Sequence, residues 1–328
     1  MVNENKRYFK PDITKLKILN SLAKGYESVD PAKGIEIGGQ AITLAQKFTD
    51  KSGQLLLAEA YHNKGLNHRA KSDYALAKEL YEKALSINQN LNNIYGIGYN
   101  TLFLGQIYRL EGASKKAQEL FHKSLALFES ISDQAGIAKC YHELGNIFIG
   151  FSDNTKALEY YKKSLVINEK IGKKASMASN LANIGSVYYY LSDYSQALEN
   201  YKKALSVNEK LGNKSGISLN LGNIALAYTE LNNYPIALEY YQKSLRINEQ
   251  MGDKSGTALS LSNMGNVYKN LLDYPKALEN YQKSLTINEQ LGNKFGIALS
   301  MSSIGILYEE LSEYSKALEY HQKSQAIN

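Results

Sequence analysis

The 328-residue sequence contains one cysteine, four prolines and no tryptophan. The single cysteine, Cys140, excludes an internal disulfide and a zinc site built from cysteines, and it leaves the cellular compartment open. So few prolines suit a mostly helical chain. No apolar run approaches the roughly 18 residues that a membrane span requires, so we expect no direct membrane contact in this segment.

The N-terminal sequence MVNENKRYFKPDITKLK has no apolar stretch and therefore is not a signal peptide as written. A cytoplasmic location is favoured for the chain as written. A periplasmic location stays open if a signal peptide was removed.

Charge is distributed along the chain in pairs. The net charge is +6, but a nucleic-acid binder would concentrate its basic residues on one face. Here many lysines follow a glutamate by four residues, a spacing that stabilises an exposed helix face. These pairs are Glu199–Lys203, Glu239–Lys243, Glu279–Lys283 and Glu319–Lys323. The pattern indicates a solvated helix surface, and no nucleic-acid partner is expected.

Motifs for catalysis are missing from the sequence. LGNKSG and MGDKSG contain a Lys-Ser pair, but a phosphate-binding loop needs GxxxxGK[ST] after a strand. The five histidines are scattered and no HExxH occurs. Cys140 falls in a predicted helix and is expected to be packed. We therefore predict a non-catalytic chain without a metal site and without a cofactor.

The most informative feature is an internal repeat, which from about residue 95 recurs every 40 residues. The unit that begins at Leu181 reads LANIGSVYYYLSDYSQALENYKKALSVNEKLGNKSGIS. The next unit begins at Leu221 and reads LGNIALAYTELNNYPIALEYYQKSLRINEQMGDKSGTA. The third begins at Leu261 and reads LSNMGNVYKNLLDYPKALENYQKSLTINEQLGNKFGIA.

Each unit is predicted to form two amphipathic helices, because its apolar and small residues recur at helical spacing. A short polar turn such as Ser192–Tyr194 separates them, and Pro235 or Pro275 follows this turn in two units, where a missing N–H costs nothing. A glycine ends each unit and fits a left-handed helix cap. These glycines are Gly172, Gly212, Gly252 and Gly292.

Two columns of small residues predict close helix packing. Gly65, Gly105, Gly145, Gly185, Ala225, Gly265 and Gly305 lie on successive first helices, and Ala77, Ala117, Ala157, Ala197, Ala237, Ala277 and Ala317 on successive second helices. This combination resembles the tetratricopeptide repeat (TPR) over nearly the whole chain. The resemblance implies an all-α fold, a right-handed superhelical solenoid of antiparallel helix pairs. The sequence departs from the usual pattern in having Leu181, Leu221 and Leu261 where tryptophan is common, and in its 40-residue length.

We expect residues 1–11 to form an N-terminal tail and residues 12–328 to form one solenoid of about eight helix-pair repeats. The predicted repeats span 12–53, 54–94, 95–134, 135–174, 175–214, 215–254, 255–294 and 295–328. The last repeat is truncated at Asn328, and no polar capping helix follows it. We therefore expect either a segment of a longer protein or an exposed end that docks onto another molecule.

The 40-residue form, with SNMGNVY at Ser262–Tyr268, resembles Pins-type adaptors and kinesin light chains, and still more the sensory arrays of bacterial adenylate cyclases and histidine kinases. The resemblance implies a concave groove that binds a protein or an extended peptide. The favoured function is the sensory or docking segment of a larger bacterial signalling protein. The alternatives are a stand-alone adaptor and a self-assembly module that associates through its C-terminal helix face.

By the same resemblance the first helices line the groove. One of their positions carries Asn63, Phe103, Glu143, Asn183, Asn223, Asn263 and Ser303. An Asn amide has two donors and an acceptor and can bind a peptide bond at both its N–H and its C=O. The alternative is that these side chains bond to neighbouring helices. The small residues Ala182, Gly222 and Ser262 beside this column favour accessible amides.

A carboxylate clamp of the chaperone-binding kind requires lysine one position before this column. No lysine occurs there, so we expect no ligand that ends in an acidic motif. The predicted groove residues are Asn63, Glu143, Asn146, Asn183, Tyr189, Tyr190, Asn223, Asn263 and Asn266.

Overall fold

The computed structural model describes residues 12–327, and sixteen α-helices and one 3₁₀ turn, Tyr26–Ser28, account for its secondary structure. The predicted tail, residues 1–11, lies outside the described residues, as does Asn328. The first helices of the pairs are α1 (Ile13–Gly25), α3 (Lys51–Ala70), α5 (Ile94–Leu110), α7 (Gln134–Gly150), α9 (Lys174–Tyr190), α11 (Lys214–Glu230), α13 (Lys254–Asn270) and α15 (Lys294–Glu310). The second helices are α2 (Pro31–Ala45), α4 (Tyr74–Asn90), α6 (Ser114–Ser130), α8 (Asn154–Lys170), α10 (Tyr194–Leu211), α12 (Tyr234–Met251), α14 (Tyr274–Leu291) and α16 (Tyr314–Ile327). The predicted all-α class of helix pairs is confirmed.

The turns follow the predicted chemistry. Between α9 and α10, Ser192 has a φ of 59° and Asp193 caps α10 by accepting a hydrogen bond from the Gln196 N–H. After α10, Gly212 has a φ of 64°, in the left-handed region that glycine adopts without strain. Gly172, Gly252 and Gly292 have the same conformation, so the predicted glycine caps are confirmed.

The chain divides into two compact units, Met1–Ile167 (unit 1) and Asn168–Asn328 (unit 2). In unit 1, α3 contacts both α1 and α5, and α5 contacts α7. In unit 2, α11 contacts both α9 and α13, whereas the described second helices α10, α12 and α14 have no comparable contacts with one another. Within unit 2 the first helices therefore form the inner side of the stack.

Aromatic rings fill the space in front of the small residues of the first helices. A Cβ added at Gly145 would lie 2.6 Å from Cε1 of Tyr161, and one added at Gly265 would lie 2.5 Å from the same atom of Tyr281. Both rings are buried. The sequence predicts small residues facing each other across the pair. The structure adds that an aromatic ring of the second helix packs against each glycine, which explains why a side chain is excluded there.

A second close contact joins each repeat to the next. Asn208, near the end of α10, is buried, and its side chain lies where a Cβ on Gly216 of α11 would be, at 2.6 Å. Asn213 donates from Nδ2 to Asn208 Oδ1 at 2.9 Å and accepts from the Gly216 N–H at 3.2 Å. The LGNKSG motif is therefore a helix cap followed by a close inter-repeat contact, which explains its glycines without a phosphate ligand.

Candidate functional site

In unit 1 one face of the first helices lines a cleft of about 430 Å³. This volume lies within the usual range of small-ligand pockets, about 300–1,000 Å³. Its walls come mainly from α3 and α5, with one residue each from α1 (Lys24) and α7 (Lys139). The chemistry of the wall is mixed: it includes Leu55, Glu59, His62, Asn63, Tyr95, Tyr99 and Phe103.

His62 is the titratable group at the centre of this wall. Its Nδ1 lies 2.9 Å from Asn100 Oδ1, and its ring makes an edge contact with Phe103 at 4.9 Å between centroids. Asn100 donates from Nδ2 to the Gly96 carbonyl, so its Oδ1 accepts the Nδ1–H of His62. Burial lowers the pKa of His62 to about 4 because the charged imidazolium is desolvated. The imidazole is therefore neutral near pH 7.

Asn63, a predicted groove residue, lines the same cleft but already has a partner. Its side chain is buried, and Nδ2 donates to the backbone carbonyl of Asn20 on α1 at 3.0 Å. One turn later Asn67 donates to the Ala23 carbonyl at 2.8 Å. These two amides attach α3 to α1.

Glu143, the predicted groove residue of α7, is the centre of a hydrogen-bonded network. Its carboxylate accepts from Gln106 Nε2 at 2.8 Å, from Arg109 Nε at 3.2 Å and from Asn146 Nδ2 at 3.1 Å. Asn146 in turn accepts the hydroxyl proton of Tyr161 at 2.7 Å. The network joins α5, α7 and α8, so Glu143 and Asn146 hold unit 1 together from its groove side.

The asparagines at the equivalent position in unit 2, which we call the Asn column, have a different environment from Asn63 and Glu143. Asn183, Asn223 and Asn263 occupy equivalent, half-buried positions on α9, α11 and α13. None of their side chains makes a hydrogen bond to any residue between 12 and 327, and their amide atoms are accessible to solvent. A polar group with neither a protein partner nor full hydration costs free energy, so an amide left in this way suits an external partner.

The surroundings of these amides are small. Ala182 and Ser262 precede two of them, and a Cβ added at Gly222 would meet only Ser244 Oγ, at 3.8 Å. Asn266, the remaining predicted amide, is exposed on α13 and accepts the hydroxyl proton of Tyr281 at 2.6 Å. Ala182 and Ser262 are buried and Gly222 faces Ser244 of α12, so these small residues pack against the second helices and do not line the approach to the amides, contrary to the sequence interpretation.

The two predicted aromatic groove residues differ in exposure. Tyr189 donates from its hydroxyl to Glu230 Oε1 at 3.0 Å, and burial raises its pKa above the usual range. Its ring contacts that of Tyr190 at 6.1 Å between centroids. Tyr190 itself is 63% exposed. Tyr190 is therefore the aromatic surface of this pair that a ligand can reach.

Sequence reasoning missed three exposed leucines on the first helices of unit 2. Leu219, Leu259 and Leu299 lie four residues before Asn223, Asn263 and Ser303. The signal was present in the sequence. Leu219 and Leu221 are two residues apart and so lie on opposite sides of a helix. Since Leu221 is buried, Leu219 has to face outward.

The repeat architecture can be compared with known families. A sequence model described as tetratricopeptide repeat matches residues 99–170, 176–250 and 256–328, and a second model with the same description matches residues 58–91. These segments make up more than half of the chain. The chain belongs to the tetratricopeptide repeat family. Comparison of this TPR chain with curated protein sequences gives no significant match.

Three solved structures with the same fold match most of this TPR chain. The apo quorum sensor NprR from B. thuringiensis has a TM-score of 0.76 at 18% identity, with 96% of this chain and 86% of that chain covered. A Rap protein complexed with Competence and Sporulation Factor has a TM-score of 0.68 at 14% identity, with 95% and 85% covered. A signal transduction ATPase with a tetratricopeptide repeat sensor, from Pyrococcus horikoshii, has a TM-score of 0.64 at 20% identity, with 89% and 46% covered. At these identities the similarity shows the fold.

Proposed function

We propose that this TPR chain is a non-catalytic scaffold that binds an extended peptide or protein segment along its first helices. In unit 2 the contacts are the amides of Asn183, Asn223 and Asn263. The observation that carries the proposal is their lack of any partner within residues 12–327, although each is half-buried. Amides at one helix position, repeated at 40-residue intervals, suit the regularly spaced peptide bonds of an extended chain.

The fold neighbours support a peptide ligand and a signalling role. NprR is described as a quorum sensor, and the Rap protein was solved with Competence and Sporulation Factor. In the P. horikoshii protein the tetratricopeptide repeats are described as a sensor, and this chain spans 46% of that protein. The favoured role is therefore the sensory or docking segment of a larger bacterial signalling protein.

The buried cysteine supports a non-catalytic role. Burial raises the pKa of the Cys140 thiol to about 12, so it stays protonated and is a poor nucleophile near pH 7. Its Sγ contacts Ser124 Oγ at 3.4 Å inside the core.

Between residues 12 and 327 no three His, Cys, Asp or Glu side chains are grouped as metal ligands. The same residues include no helix with the length and apolar character needed for a membrane crossing.

The test is a binding measurement with a matched amide control. Linear 12-residue peptides are selected by display on the wild-type chain, synthesised with a fluorescent label and titrated against variants by anisotropy. The Asn183→Ala, Asn223→Ala, Asn263→Ala variant removes three groove amides. The Gln242→Ala, Gln282→Ala, Gln322→Ala variant removes three exposed amides, also 40 residues apart, from the second helices.

Each hydrogen bond contributes about 1 kcal/mol, so we expect the Asn variant to weaken binding by about 100-fold. The Gln variant should bind like the wild type. Because the Asn side chains have no internal partners, the unfolding transition measured by circular dichroism should be unchanged. Equal affinities for wild type and a folded Asn variant would show that the ligand binds elsewhere.

A further inference from the structure

Unit 2 has a row of exposed apolar side chains on its first helices, two of which also carry an unpaired amide. Leu219 of α11 is 58% exposed, Leu259 of α13 is 59% exposed and Leu299 of α15 is 48% exposed. They follow one another at 40-residue intervals, so they occupy one position of three consecutive first helices. We call these three residues the apolar row.

Helix geometry places the apolar row beside the Asn column. Residues four apart on a helix lie on the same face, so Leu219 lies one turn from Asn223, and Leu259 one turn from Asn263. The equivalent residues of unit 1 are Glu59, Tyr99 and Lys139, and all of them line the cleft of that unit. In unit 1, where the structure shows a cleft, this helix position therefore faces into it.

The part of the face around the row is uncharged. On α11 it consists of Ser215, Leu219, Asn223 and Leu226, and the equivalent residues of α13 and α15 are again apolar, small or amide-bearing. The same face becomes charged at the helix ends, where Glu230 accepts from Tyr189 and Glu310 pairs with Lys269. In a chain with 21% charged residues this absence of charge is informative. A charged segment bound here would be desolvated without a counter-charge, which is unfavourable. The fitting partner is uncharged along this face.

The spacing of the helices limits the period of the partner. Of the helices that carry the row, α11 and α13 contact each other directly, and packed helices lie about 8–10 Å apart. A polyproline II chain advances about 3.1 Å per residue with three residues per turn, so every third side chain returns to the same side after about 9 Å. We propose that the apolar row binds an uncharged stretch of extended peptide whose apolar side chains recur at about every third residue. This inference rests on the proposed function and adds the sequence class of its ligand.

The test uses the selected 12-residue peptides as probes. The variant Leu219→Ser, Leu259→Ser, Leu299→Ser removes the row. The control variant Leu76→Ser, Val166→Ser, Leu318→Ser removes three exposed apolar side chains from second helices. We expect the selected peptides to share apolar residues three positions apart and few charges. The row variant should weaken their binding at least tenfold, while the control stays within twofold and all three proteins melt alike.

The outcomes separate the two proposals. If the Asn variant loses binding and the row variant does not, the proposed function stands and the ligand class is wrong. If the peptides show no apolar period, the ligand class is also wrong. If neither variant loses binding, both proposals fail. Analytical ultracentrifugation tests whether a second copy of the chain occupies the apolar row instead. If the wild type is a dimer, and the row variant is a monomer that still binds the peptides, the row serves self-association and the inference is wrong.

Discussion

The two units use one repeat design with opposite treatment of their groove residues. In unit 1 the residue of the column on α7, Glu143, has three internal hydrogen-bond partners. In unit 2 the equivalent Asn223 of α11 has none within the described residues. The same helix position therefore stabilises the fold in one unit and is left available in the other. Equivalent positions in successive repeats of this chain therefore need not have the same role.

The comparison extends to the surrounding chemistry. The cleft of unit 1 combines charged side chains such as Glu59 with a neutral His62 and aromatic rings. The corresponding part of the face in unit 2 has exposed leucines beside free amides, and its charged residues, such as Glu230, lie at the helix ends. Substitutions in unit 1 should therefore change stability, whereas substitutions in unit 2 should change binding.

The largest effect is expected at Glu143. Replacing it by Ala leaves Gln106, Arg109 and Asn146 without their shared acceptor, and breaking a largely buried charge pair costs about 2–4 kcal/mol. The expected result is a lower free energy of unfolding in urea and faster hydrogen exchange in α5 and α7. The matched change Asn223→Ala should alter stability by less than about 0.5 kcal/mol.

One outcome of the substitutions at Glu143 and Asn223 would contradict this comparison between the two units. Similar losses of stability for Glu143→Ala and Asn223→Ala would mean that the amides of unit 2 have structural partners after all. Glu143→Gln serves as the control, because it keeps one acceptor oxygen and should retain part of the stability.

The next largest effect is a pH dependence of the free energy of unfolding, caused by His62 of unit 1. The pKa of His62 is about 4 in the folded chain and about 6.5 when unfolded. Below pH 6.5 the unfolded state therefore binds the proton first. The stability from neutral His62 is complete above pH 6.5 and is lost as the pH falls toward 4. Between pH 7 and pH 5 this amounts to about 1–2 kcal/mol.

The measurement compares urea unfolding at the two pH values for wild type, His62→Gln and His122→Gln. The first substitution should reduce the loss between pH 7 and pH 5, while the exposed His122 control should leave it unchanged. An equal loss in all three proteins would assign the pH dependence to other groups.

The smallest effect concerns two equivalent tyrosines of unit 1. Tyr161 donates to Asn146, whereas the buried Tyr81 hydroxyl has only the Arg69 guanidinium beside it and makes no well-aligned hydrogen bond in the described chain. The reason is local: Leu66 stands fifteen residues before Tyr81, where Asn146 stands before Tyr161. Tyr161→Phe should cost about 1 kcal/mol in urea unfolding, and Tyr81→Phe should be neutral or slightly stabilising. A loss of equal size at both sites would contradict this account.

Much of the fold could be predicted because local chemistry repeats. The 40-residue period placed the helix pairs, and the glycine at each unit end adopts the left-handed conformation expected of it. The four Glu–Lys pairs inferred from spacing form ion pairs of 2.5–2.7 Å. Such features depend on residues within one or two turns, and a sequence displays these directly.

The site was harder to predict because partners come from other helices. Asn63 and Asn183 occupy the same column, yet only Asn63 finds a carbonyl, that of Asn20 on the divergent first helix. The network of Glu143 likewise depends on Gln106, 37 residues away. The exposed leucines were overlooked because apolar residues in a helical period were assigned to the core as a group. The position of Leu219, two residues before the buried Leu221, was sufficient to place it on the exposed side of α11.

The contact between Asn208, Asn213 and Gly216 has a consequence for how such a chain can change in length. The residues of this contact lie in a short segment, and the segment recurs almost unchanged 40 residues later as Asn248, Asp253 and Gly256. Removing residues 214–253 would join Asn213 to Lys254 and restore the sequence Gly-Asn-Lys-Ser-Gly. Recombination in register would therefore preserve the turn, the cap and the close contact at the junction while one whole helix pair is lost or gained.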